Sequence, residues 1–150
     1  MFAGGLTVTN EATVSVRPGC KPGKGAVTMN GGTTLKVAGS GAVALDGALT
    51  LADDVTLAFE FTERRVTPVL VATNGVTVAG GVNVKVSAVG KVRPVGGEHV
   101  LTAGGGFAGK TVSLVTEGAP HWMAGGSLSV NGDGDLVLSV VSDGTVMLFR

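Results

Sequence analysis

Cysteine is almost missing from this 150-residue sequence: Cys20 stands alone, so no intrachain disulfide forms and pairing says nothing about redox compartment. Tyrosine, isoleucine and glutamine are absent, and five Phe with one Trp make up the aromatic complement. That is too few stacking platforms for a single-stranded nucleic acid groove. Lys+Arg and Asp+Glu balance at 11 each, so no net field draws a polyanion or an anionic bilayer. Nucleic acid is therefore not an expected partner. No apolar run approaches the roughly 18 residues of a membrane span, so this segment is not expected to insert into a membrane. Met1–Gly5 has neither the charged nor the apolar stretch of a secretory signal. No window shows helical spacing of its apolar residues.

What is present in quantity is glycine and valine, 26 of each. Valine suits a pleated, half-buried strand surface, and glycine supplies turns with positive φ. The two combine into a recurring word, a glycine followed by apolar residues at alternate positions: Gly41-Ala-Val-Ala-Leu45, Gly47-Ala-Leu-Thr-Leu51, Gly75-Val-Thr-Val78, Gly126-Ser-Leu-Ser-Val130, Gly134-Asp-Leu-Val-Leu138. Since successive strand side chains face opposite ways, each word buries two or three residues, and a core needs many words stacked.

About fourteen such strands are expected. They run Leu6–Val8, Thr13–Val16, Ala26–Met29, Thr34–Val37, Ala42–Leu45, Ala48–Leu51, Val55–Phe61, Val69–Ala72, Val76–Val78, Val82–Val86, Val100–Ala103, Thr111–Val115, Ser127–Val130 and Leu136–Val140. Many starts lie about six to eight residues apart, closer than the spacing of sandwiches and barrels, and fit the sides of a solenoid. The expected fold is all-β: one domain, 1–150, a short parallel β-solenoid of about four to five coils rising about 4.8 Å each. Residues 1–90 read as regular coils, and 91–150 as less regular coils closing in a hairpin-like cap, with Phe107 and Trp122 as lids. Thr7, Thr9, Ser15, Thr28, Lys36, Thr50, Thr56, Thr77, Lys85 and Ser129 take outward positions, while Phe59 and Phe61 form the bulkiest core pair. Thr62-Glu-Arg-Arg65, the dense charge cluster, reads as a solvated corner or projecting loop.

Several motifs suggest chemistry. Gly104-Gly-Gly-Phe-Ala-Gly109-Lys110-Thr111 matches the phosphate-loop spacing, and Gly104, Gly106 and Gly109 match the dinucleotide fingerprint. Both need a helix to begin at once, since its first amides hold the phosphates. Thr111–Val115 alternates as a strand instead, so a glycine-rich corner is expected. Asn131-Gly-Asp-Gly-Asp135 has the oxygen spacing of a partial calcium loop but reads as a hairpin turn between two strands. His99 and His121 lack partners at metal spacing. Glu98 beside His99, the Asp53-Asp54 pair and Glu60 invite acid/base readings, yet alternation sends Asp53 and Asp54 to opposite sides or into a corner. Cys20 sits in the basic turn Arg17–Lys24 and carries no assigned role. An ice-binding face would need Thr-x-Thr in every coil, and Thr7-Val-Thr9 occurs once. No catalytic, cofactor-binding or metal-ligating residue is named, and no cofactor is expected.

Two stretches resemble a known family. Gly25–Leu51, a string of repeat words, and the closing pattern Val100-Leu-Thr-Ala-Gly-Gly-Gly-Phe-Ala-Gly109 with His121-Trp122 and Gly134–Val140 are similar to the autotransporter-associated β-strand repeats of passenger regions. That resemblance implies a right-handed parallel β-helix, secreted or held at a bacterial surface, acting without catalysis as stalk, scaffold or adhesin. Cell-surface glycans or other copies of the solenoid are the implied partners. The alternatives are a carbohydrate-active β-helix of lyase or hydrolase kind, which would cluster Asp, Arg or Lys on one face, and, more remotely, a nucleotide binder through Gly104–Thr111.

Overall fold

The computed structural model describes residues 6–16, 25–39, 41–64, 66–90, 92–115, 121–123 and 126–141. The described residues form strands, turns and a single 3-10 turn, His121–Met123, with no α-helix among them. Cys20 with its turn Arg17–Lys24, Arg65, Lys91, Thr116–Pro120 and the side chain of His121 lie outside the described residues.

The strands are β1 (Leu6–Val8), β2 (Thr13–Val16), β3 (Val27–Met29), β4 (Thr34–Gly39), β5 (Ala42–Leu45), β6 (Leu49–Leu51), β7 (Val55–Phe61), β8 (Val69–Ala72), β9 (Val76–Val78), β10 (Val82–Ala88), β11 (Gly97–Val100), β12 (Thr102–Ala103), β13 (Val112–Leu114), β14 (Ser127–Val130) and β15 (Leu136–Val140). They assemble into three parallel sheets: A, in the order β1-β3-β6-β9; B, β13-β10-β7-β4-β2; and C, β12-β8-β5. From β3 to β12, β11 apart, the chain supplies strands to A, B and C in repeating order, an arrangement consistent with a β-solenoid.

Alternation decides what each sheet buries. In β7 every second side chain, Val55, Leu57, Phe59 and Phe61, is fully buried, and Thr56, Ala58 and Glu60 face outward. Register then aligns like with like: Val37, Phe59 and Val86 stand abreast on neighbouring strands, as do Leu35, Leu57 and Val84. Sheet A repeats the pattern, with Met29, Leu51 and Val78 inside and Thr7, Thr28, Thr50 and Thr77 forming one outward rank. The buried residues make a single apolar cluster. None of the ten residues expected to point outward is buried.

Parallel stacking requires the corners to stack as well. Between sheets C and A, Val27 N donates to Ala48 O at 2.8 Å and Leu49 N to Gly75 O at 3.0 Å. Thr73 donates to Leu45 O from both its N, at 3.1 Å, and its Oγ1, at 2.8 Å, and Asn74 Nδ2 donates to Asp46 O at 2.5 Å, so side chains reinforce the stacking of one corner on the next. Gly47 is buried in this corner against the backbone beneath it, and a Cβ there would run into Gly25 O. Between sheets A and B, the corner ladder continues from Asp54 N to Gly81 O at 2.8 Å and from Gly32 N to Asp54 O at 2.9 Å.

The connections from sheet B to sheet C lengthen along the chain. Residues 62–68 bridge β7 to β8, and residues 89–101 bridge β10 to β12 and contain β11, a strand the sequence pattern does not announce. Strand β11 pairs antiparallel with β15, which pairs antiparallel with β14, giving a separate three-stranded sheet. Its buried Leu136, Leu138 and Val140 belong to the same core cluster as the parallel sheets. Leu101 N donates to Leu136 O at 2.8 Å, and Leu136 N donates to Thr102 Oγ1 at 2.9 Å. Phe107 and Trp122 are buried in the same cluster, and Phe61 meets Trp122 edge-to-face with ring centroids 5.8 Å apart. Beyond residue 91 the parallel order persists in β12 and β13.

Gly47→Ala is expected to cost about 1–3 kcal/mol, because the backbone it meets cannot yield as a flexible side chain would. Gly132→Ala, with nothing within 4 Å of the added Cβ, is expected to stay within about 0.5 kcal/mol. Urea unfolding of both variants checks the pair, and equal midpoints would refute the close-packed corner.

Candidate functional site

Because the parallel sheets pack their inner faces, chemistry has to be sought on outward ranks and corners. Sheet B offers the richest outward face. Thr13, Thr34, Thr56, Asn83 and Ser113 follow one another in register across all of its strands. The next rank runs Ser15, Lys36, Ala58 and Lys85, and the one after it Ala38, Glu60 and Ser87. A groove of about 480 Å³ lies over these ranks, lined by Thr34, Lys36, Thr56, Ala58, Lys85 and Ser87 among others.

Two features shape the groove. Ala58 sits between the two lysines in register, so its small side chain leaves a floor flanked by long cationic walls. Glu60 reaches diagonally from β7 to Lys36, Nζ to Oε2 at 3.5 Å, with both side chains part-exposed. An ion pair so open to solvent adds little stability, so its consequence here is to orient Lys36. Lys85 is exposed, and no described residue pairs with it.

The glycine-rich loop is a corner, as its strand-like sequel requires. Gly104, Gly105, Gly106 and Gly109 all take positive φ, and Val112–Leu114 continues as β13 on sheet B, where a phosphate loop would open a helix. Three of the loop's amides have partners within the protein. Gly105 N donates to Asp135 Oδ1 at 2.8 Å, Phe107 N to Gly134 O at 3.0 Å, and Lys110 N to Phe107 O at 3.1 Å. A carboxylate from the β14–β15 turn thus occupies the place of an anionic ligand. Gly106 lies so close to β9 that a Cβ would collide with Val76 O.

Asn131–Asp135 is likewise a hairpin turn. Asn131 Oδ1 accepts from Asp133 N at 2.9 Å and Asp135 N at 3.1 Å, and Asn131 N donates to Asp135 O at 3.0 Å. These oxygens serve the turn's own backbone, and no group of His, Cys, Asp and Glu among the described residues is arranged to hold a metal.

The acid/base candidates are dispersed. Asp53 and Asp54 occupy the corner between β6 and β7: Asp53 Oδ1 accepts from Gly81 N at 2.6 Å, and Asp54 Oδ1 from Asn83 Nδ2 at 3.0 Å. His99 Nε2 lies 2.6 Å from Val95 O and its Nδ1 2.7 Å from Thr67 Oγ1. A carbonyl cannot donate, so Nε2 carries a proton directed at Val95 O, and Nδ1 pairs with the threonine hydroxyl. Both ring nitrogens are thereby occupied, and Phe61 packs edge-on against the ring at 5.5 Å between centroids. Glu98 is exposed on the other side of β11. Arg64 of the charged loop donates from Nη1 to Arg93 O at 3.0 Å, and Val95 N donates to Arg64 O at 3.2 Å, tying the two long connections together.

The Thr7-Val-Thr9 pair is not repeated. Thr28, Thr50 and Thr77 align with Thr7, while Asn30, Ala52 and Ala79 follow β3, β6 and β9 where Thr9 follows β1. Missing from the sequence reading was the convergence of Lys36, Glu60 and Lys85. Its one signal was their shared outward phase, which leaves relative register open.

Asp135→Ala is expected to destabilise the fold by about 1.5–3 kcal/mol through loss of a charge-assisted bond to Gly105, whereas Lys110→Ala, at an exposed position, stays within about 0.5 kcal/mol. Thermal unfolding with and without ATP reads both effects, and an ATP-dependent rise in melting temperature would restore the nucleotide reading. No family model, curated protein or solved structure matches the chain.

Proposed function

We propose that the chain is a right-handed parallel β-solenoid of about four to five coils, closed on one side by β11, β14 and β15, that serves without catalysis as a surface-exposed or secreted stalk or scaffold holding glycans on its outer faces. The observation that carries this reading is the in-register outward rank of Thr, Ser and Lys over a packed apolar interior on sheet B. Hydroxyls and ammonium groups repeated at the strand spacing of about 4.8 Å offer a polymer many weak, similar contacts. Secretion or surface display rests on the resemblance of Gly25–Leu51 and Val100–Val140 to autotransporter-associated repeats.

Support for a non-catalytic role comes from how the carboxylates are used. Asp53, Asp54 and Asp135 each accept a hydrogen bond within a corner or turn, and Glu60 is engaged by Lys36. A carbohydrate-active reading draws on the same face, where Glu60 and two lysines stand over three neighbouring strands. It would require Glu60 to release Lys36 and meet a second acid or base, and among the described residues lining the groove the titratable groups are the two lysines.

Displayed on a bacterial surface through a heterologous anchor, the chain is expected to retain cells on glycan-coated plates without releasing soluble sugar. Reducing-end and ultraviolet assays for hydrolase and lyase products provide the check, and sustained product formation abolished by Glu60→Gln would replace the scaffold reading with an enzymatic one.

A further inference from the structure

The groove on sheet B has a composition that selects among saccharides. Among the described residues that line it there is no aromatic ring, and the apolar ones are Ala58 and Val115. A neutral sugar, whose C–H face commonly stacks on an aromatic ring, finds nothing to stack on here. Charge and hydroxyls are what the groove provides.

We infer that this groove binds an acidic saccharide, with a carboxylate or sulfate seated over Ala58 between Lys36 and Lys85 and the sugar hydroxyls on Thr34, Thr56 and Ser87. The inference deepens the glycan-holding scaffold proposed above and rests on it. Lys36, Ala58 and Lys85 are in register on three adjacent strands. Two strand steps place the lysine Cα atoms roughly 10 Å apart. Each flexible four-carbon stem then lets its ammonium lean over the alanine from its own side, so both can reach one anion.

The two cations have donors to spare. Lys85 is exposed and pairs with no described residue, and Lys36 meets Glu60 at 3.5 Å with one of the three N–H donors an ammonium carries. Glu60 neutralises part of the charge and keeps Lys36 beside the groove, so the face has an excess of positive charge although the whole chain is balanced at 11 and 11. The volume of about 480 Å³ lies within the range of small-ligand sites. The exposed side chains of Thr13 and Lys85 leave the groove open, which admits an internal unit of a polymer as readily as a free end.

The test titrates the full chain with an oligogalacturonate, a sulfated glycosaminoglycan fragment and a neutral cello-oligosaccharide of similar length, by calorimetry at low and moderate salt. Binding to at least one acidic oligomer and not to the neutral one is expected, weakening as salt screens the contact. Which acidic oligomer binds assigns the anion as carboxylate or sulfate. Lys85→Ala should weaken binding about fivefold, the size of one exposed ion pair. Lys85→Glu and the double variant Lys36→Ala/Lys85→Ala should abolish it, Glu60→Gln should strengthen it by removing the negative charge beside the bound anion while an amide oxygen can still hold Lys36, and Lys110→Ala should leave it unchanged. Circular dichroism melts of the same variants separate lost binding from lost fold. Equal affinity for neutral and acidic oligomers, no binding to either acidic oligomer, or parental affinity in folded Lys85→Glu would overturn the assignment. Retention of cells on neutral glycans by Lys85→Glu would do so while leaving the scaffold reading intact.

Discussion

Neighbouring strands hydrogen-bond only when their backbones lie about 4.8 Å apart, so each corner must lift the chain by that step and no more. In this protein the lift depends on close backbone approach at the corners, seen where Gly47 packs on Gly25 and where Gly106 packs on Val76. With the corners set, register follows, and register places Phe59 between Val37 and Val86 and Ala58 between Lys36 and Lys85. Core and surface are two consequences of one constraint. A side chain at either corner would disturb the alignment of every rank that leaves it, including polar ranks that contribute little to stability themselves.

That coupling explains the division of labour across sheet B. The inward ranks are apolar, fully buried on β4, β7 and β10 up to Val37, Phe61 and Val86 and less completely buried on the edge strands β2 and β13, which removes the interior as a place for ligands. The outward ranks can vary with small energetic consequence, since exposed substitutions typically change stability by a few tenths of a kcal/mol. Variation there is nonetheless amplified geometrically. A lysine placed at the same phase on β4 and β10 becomes a pair facing across one alanine, although the two residues belong to separate repeats of the chain. Outer surfaces on such stacked sheets are assembled from distant segments, and local sequence motifs are a poor guide to them.

The strands were legible because alternation is a local signal: β1, β2, β5, β7, β8, β9, β14 and β15 have the bounds that the apolar period assigns them. So was the burial of Phe59 and Phe61, and so was the Asn-Gly turn joining β14 to β15. Strand β11 was hidden, since Gly97-Glu-His-Val100 has one residue of strong strand preference and gains its partners from Leu138 and Val137 far along the chain. The glycine loop misled for a related reason. Its spacing is that of an anion cradle, and the anion it holds is Asp135, a neighbour only after the β14–β15 hairpin folds against it. The groove was least legible, because period-2 phase tells which side a lysine faces but leaves open which lysine stands opposite another.

The fate of the backbone amides and the site of recognition are connected. In a phosphate loop, amides at a helix start are left for the ligand because helix geometry gives them no internal partner. In the parallel sheets described here the amides of one strand find carbonyls on the next, and the corner amides of Gly81 and Gly105 find Asp53 and Asp135. Binding a ligand through those amides would mean displacing the carboxylate each already holds, exposed at Gly81 and part-buried at Gly105, so the ligand gains only the difference between two acceptors. The lysine ammoniums and threonine hydroxyls of sheet B face no such competition, apart from the weak Lys36–Glu60 contact. A ligand that matches them exchanges water for protein at little structural cost. The same inward satisfaction of the backbone that stabilises the stacked sheets therefore leaves the proposed recognition to side chains on the outer ranks, where two lysines and a row of hydroxyls converge.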